Sequence, residues 1–214
     1  MINGEKFAKL ILTNKNIPSE KWKVEEIPDA KGRKKYSYLD YKPNGLSKIY
    51  LSKDVYYGTS ITSLQVAAHE VAHFLNNNKH KKRFRRLRLF NRWLYPLSVI
   101  LGLFVSIYIW QNIHNGNLTM FFLFICSIIP LVISIIASRE KFIDEKFADN
   151  ASLKLILRYY PKNAKPLSRD YLKRVISLRR INIIAGIWLS ILPGVIPLIF
   201  NLITASVKFF TYCY

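Results

Sequence analysis

The sequence predicts an α+β membrane protein, mainly helical, with a small N-terminal β-hairpin or sheet and about three transmembrane segments. Three observations lead there. Two long stretches, residues 93–138 and 181–207, contain no Asp, Glu, Lys or Arg. Short strand-like runs cluster before residue 53, two of them around the turn formers Pro43, Asn44 and Gly45. An apolar stretch over 61–77, "ITSLQVAAHEVAHFLNN", carries His69 and His73, four residues apart, with Glu70 beside the first.

Taken in order, residues 4–16 read as a short amphipathic helix, since Phe7, Leu10 and Ile11 share one face. Residues 22–27, 36–41 and 48–52 read as strands. The second and third are joined by Lys-Pro-Asn-Gly-Leu-Ser, which predicts a hairpin. Thr59 or Ser60 is placed to cap the helix over 61–77. A basic run follows at 79–92, with eight Lys or Arg.

A bilayer core takes about 20 apolar residues per helix. The first uncharged stretch therefore accommodates two spans, 94–110 and 118–137, and the second accommodates one, interrupted by Pro193, Gly194 and Pro197. The turn "QNIHNGN" lacks Lys and Arg while its flanks are rich in them, so the flanks are expected in the cytoplasm and the turn outside. A charged helix is expected over 138–157, then a basic, polar stretch with Pro161 and Pro166. Four parts result: 1–92, a transmembrane hairpin at 93–138, a cytoplasmic part at 139–180, and a C-terminal segment at 181–207. The expected location is the cell membrane, multi-pass.

Other classes recede. The N-terminal apolar stretch is short and broken by Glu5, Lys6 and Lys9, unlike a signal peptide. With only Cys126 and Cys213, neither a disulfide framework nor a cysteine metal site is expected. The net charge of +20 raises nucleic acid as a partner. The basic run, however, abuts an expected span, where anionic lipid headgroups account for it; no nucleic acid is expected.

Residues i and i+4 of a helix lie on one face. His69 and His73 can therefore present ring nitrogens to one ion, while Glu70, about 100° round the helix, can reach a water beside it. That is the content of His-Glu-x-x-His: two zinc ligands and a general base. A catalytic zinc takes three protein ligands. His80 lies in the basic run and His114 in the turn expected outside, which leaves a carboxylate. Two spans return the chain to the side it left, bringing Glu140, Asp144, Glu145 and Asp149 to the face of the two histidines. Glu145 and Asp149 are four apart: one can ligate while the other holds a ligand histidine. Glu140 and Asp144 fit a solvated charged face.

"LSKDVYYGTSITSLQVAAHEVAHFLNN" resembles the membrane-bound neutral zinc metallopeptidases of the YugP type, as do "GEKFAKLIL" and "LDYKPNG" upstream. "EKFADNAS", residues 145–152, is similar to the Glu-x-x-Ala-Asp motif of HtpX-type and prenyl-protein peptidases. The resemblance implies peptide hydrolysis, one catalytic Zn2+, a zincin-like helix, Glu145 as third ligand and Asp149 as its support. It also implies a peptide or membrane-protein substrate. Ala72 stands where the family usually has glycine. The strand over 48–52 is a candidate edge for an extended substrate. Two rival readings are an intramembrane protease and a non-enzymatic adaptor that works through its basic run.

Overall fold

The computed structural model describes residues 2–28, 36–82, 95–111 and 117–160, with isolated positions between 84 and 93 and from 171 onward. The first helix, α1, spans Gly4–Asn14 and is capped by Asn3, whose side chain accepts from the Lys6 backbone N–H. Its apolar stripe buries Phe7, Ala8, Ile11 and Leu12. A short 3-10 turn, Ser19–Lys21, leads into β1, Trp22–Glu26. Strands β2, Tyr38–Asp40, and β3, Ser47–Leu51, follow.

The sheet order is β1-β3-β2. β2 and β3 form the expected antiparallel hairpin, with Leu39 opposite Ile49. β1 runs parallel to β3, pairing Val24 with Ile49. β3 is thus central, and the alternation of buried Ser47, Ile49 and Leu51 marks its inward face. Both its edges are taken, so the strand over 48–52 cannot add an extended substrate.

A four-residue helix, α2, Lys53–Tyr56, leads to α3, Ile61–Lys79. Ser60 caps α3, its Oγ accepting from Ser63 N at 3.1 Å. Glycine is required at Gly58 because a Cβ there would run into the Asp54 carbonyl and the Ser63 hydroxyl. α1, the sheet and α3 share one core, in which Phe7, Ile11, Ile49, Leu51, Leu64 and Phe74 are almost wholly enclosed.

Two further helices are described: α4, Tyr95–Gln111, and α5, Asn117–Tyr159. The chain forms two compact units: Met1–Phe84 with Ile143–Ile181, and Arg85–Phe142 with Asn182–Tyr214. In the first unit, Ala148, Leu155 and Ile156 of α5 join the core just described.

The expected architecture of three membrane spans is not supported. Among the described residues, no helix is long and apolar enough to cross a membrane. α4 has 17 residues, about 26 Å at 1.5 Å per residue, against a hydrocarbon core of about 30 Å. The segment read as a second span, 118–137, does not end before the charged helix. Both belong to α5, one helix of 43 residues, because Ala137-Ser138-Arg139-Glu140-Lys141 contains no breaker. Its apolar part thus runs directly into Arg139, Glu140, Lys141, Asp144 and Glu145. Most of the third expected span, 181–207, and most of the turn at 111–117 lie outside the described residues.

Candidate metal centre

Helix α3 and the part of α5 from Ile143 onward, both in the first unit, build the site. α3 supplies His69, Glu70, His73 and Asn76; α5 supplies Asp144, Glu145 and Asp149. Ala67, Ala68 and Ala72, all with no exposed surface, let α3 sit deep in the core, so that His69 is fully enclosed. Glu70 is 5% exposed.

His69 Nε2 and His73 Nε2 lie 2.9 Å apart, with their rings edge to face. Glu145 Oε2 lies 3.2 Å from the first and 3.6 Å from the second. The far side of each ring faces its own carboxylate. His69 Nδ1 is 3.1 Å from Asp149 Oδ1, with both side chains at zero exposure. That pair meets at ion-pair distance without hydrogen-bond linearity. His73 Nδ1 is 3.0 Å from Asp144 Oδ2, and Asn76 Nδ2 donates to Asp144 Oδ1 at 2.7 Å.

This donor set fits a metal ion. Each Nδ1 is turned to a carboxylate, and both Nε2 atoms and Glu145 Oε2 meet in the same space. Two imidazole nitrogens 2.9 Å apart beside a carboxylate oxygen suit a shared cation. Tetrahedral zinc with bonds of about 2.0–2.1 Å places its ligands about 3.3–3.4 Å from one another. The three separations here, 2.9, 3.2 and 3.6 Å, bracket that value. His69, His73 and Glu145 form a group that could hold one ion.

The electrostatics without an ion agree. Burial alone would push His73 down, but hydrogen bonds to Asp144 and Glu145 and the charge of Glu70 outweigh it, and its pKa is raised to about 10. Burial would raise Glu145, yet hydrogen bonds from His69 and His73 hold it well below the usual carboxylate range. Asp144 is lowered in the same way, burial being overcome by His73 and Asn76. In each case a positive charge between the two helices stabilises the acids.

Of the residues read from the sequence, His69, His73, Glu145 and Asp149 are brought together, while Glu70 is nearly enclosed beside His69 on α3 and acts on His73 through its charge. Asp144 is a correction. It does not belong to a solvated face; it contacts His73 and Asn76 and is only partly exposed. Sequence reasoning misses Asn76, an uncharged amide. Its signal was helical spacing, three residues beyond His73 and seven beyond His69 on the same stripe. His80 is the exposed C-cap of α3, and His114 lies outside the described residues.

Two histidines one turn apart on one helix, with a glutamate between them and a carboxylate from a second helix facing both, are the pattern of zinc-dependent hydrolases built on His-Glu-x-x-His. Residues 1–142 match the family described as "Putative neutral zinc metallopeptidase". The chain belongs to that family, and its metal is zinc. The match ends short of Glu145, so the place of that residue rests on geometry. No curated protein and no solved structure matches the chain.

Proposed function

We propose that this protein hydrolyses peptide bonds, with zinc held by His69, His73 and Glu145 and with Glu70 as general base. The observation that carries this reading is the convergence of two imidazole nitrogens and one carboxylate oxygen at tetrahedral spacing, with each imidazole backed by a carboxylate. Zinc, when bound, supplies the Lewis acidity that makes a water acidic near neutral pH and polarises a carbonyl.

The chain's own residues do the rest. Asp149 and Asp144 face the Nδ1 atoms, so that both Nε2 atoms are turned toward the place of the ion. Glu70 follows His69 on α3 and is nearly enclosed, so its carboxylate is shielded from bulk water. It takes the proton of the attacking water and returns a proton to the departing amine nitrogen.

Substitution separates these roles. Glu70→Gln should keep one zinc per chain and abolish hydrolysis of a fluorogenic protein substrate. His69→Ala should lose the zinc. Loss of metal from Glu70→Gln as complete as that from His69→Ala would make Glu70 a ligand and sink the assignment. A purified wild-type protein without zinc would favour the adaptor reading.

A further inference from the structure

We propose that Asp144, steadied by Asn76, is the positioning residue that aims His73 at the metal, as Asp149 aims His69. The inference rests on the zinc reading above and deepens it by assigning the support of the second histidine. Three contacts carry it. Asp144 Oδ2 faces His73 Nδ1 at 3.0 Å. Asn76 Nδ2 donates to the other oxygen, Asp144 Oδ1, at 2.7 Å. Asp144 lies on the Nδ1 side of the ring, while Glu145 lies on the Nε2 side. Adjacent acidic residues on α5 thus divide the work: Glu145 faces the ion and Asp144 faces the ligand.

The two supports differ in how they are held. Asp149 has no exposed surface, so packing fixes it. The Asp144 side chain is 30% exposed and packing alone does not hold it. Asn76, itself mostly buried, supplies the missing constraint from α3. It sits one turn beyond His73, so the helix that carries the ligand also carries the group that steadies the ligand's partner. An imidazole whose Nδ1–H meets a carboxylate presents its Nε2 lone pair in one orientation and with greater basicity.

The test uses the full chain, zinc affinity by chelator competition, and the visible absorption of the Co2+-substituted protein. Asp144→Asn keeps shape and removes charge; it should weaken zinc binding about 10–100-fold. Asn76→Ala should weaken it less. The double variant should be no weaker than Asp144→Asn, because Asn76 acts only through Asp144. The Co2+ spectra of both single variants should depart from wild type. Wild-type zinc affinity in Asp144→Asn, additive losses in the double variant, or an unchanged Co2+ spectrum would each overturn the proposal. Should Asp144→Asn fail to fold, Asn76→Ala decides the question by itself: undiminished zinc affinity there overturns it. A wild-type protein that binds no zinc would overturn the proposed function, and this assignment with it; zinc retained by wild type with no effect of either variant overturns this assignment alone.

Discussion

At the residue scale, the contrast among the four acids of α5 is testable. Glu145→Ala removes an oxygen donor that faces both Nε2 atoms and should weaken zinc binding severely. Asp149→Asn keeps a polar group against His69 and should weaken it less. Glu140→Ala, outside the group of ligands and supports, should leave zinc affinity unchanged. A Glu140→Ala loss equal to that of Glu145→Ala would show that the wrong turn of α5 has been assigned. His73 adds a pH dependence. Its metal-free pKa is raised from 6.5 to about 10, so it is protonated at pH 7, and zinc must displace that proton. The raised His73 stabilises the metal-free fold fully below its ordinary 6.5, and the effect is lost as pH rises through about 10. The lowered Glu145 and Asp144 act oppositely, stabilising above their ordinary 4.5 and 3.8 and losing this on acidification. The metal-free protein should therefore be most stable between about pH 4.5 and 6.5. Calorimetric titration with zinc at pH 7, in buffers of different ionisation enthalpy, should show release of about one proton. No release would contradict the charge assigned to His73.

At the element scale, α3 is set by its cap and its small residues. Ser60 Oγ accepts from Ser63 N and fixes where the helix starts, and thereby the phase of every later residue. Ser60→Ala should cost about 1 kcal/mol in chemical denaturation while zinc stoichiometry stays at one. A variant that unfolds no more readily would mean that the Ser60 contact contributes nothing to the helix. α5 shows the limit of reading elements one at a time. Composition divides it at residue 138 into an apolar and a charged helix, but the backbone follows helix propensity, and nothing at the junction interrupts it. Among the described residues, no helix is long and apolar enough to cross a membrane.

At the scale of the molecule, the site joins distant parts of the chain. His69 and Glu145 are 76 residues apart, and their contact links α3 to α5 within the first unit. A metal bound by the folded state alone stabilises it by mass action, by about 4 kcal/mol when free zinc exceeds its Kd about 1,000-fold. Chelation should therefore lower the melting temperature of wild type and leave that of Glu145→Ala nearly unchanged. Equal melting of the zinc-loaded and metal-free proteins would show that the ion does not bridge the two helices.

Much of this site could be read from sequence because its chemistry is local. His69, Glu70 and His73 lie within five residues, and helical periodicity alone sets their relative directions. The hairpin of β2 and β3 is equally local, since Pro43, Asn44 and Gly45 dictate the turn. What the tertiary structure decided depends on which faces meet. Only packing shows that Asp144 turns to His73 rather than to water, since neighbouring residues on a helix point about 100° apart and either direction suits a carboxylate. Only packing places β3 in the middle of the sheet, because its parallel pairing with β1 joins residues 25 apart. The same holds for Asn76, an unremarked amide in sequence, which becomes part of the site once α5 brings Asp144 against it.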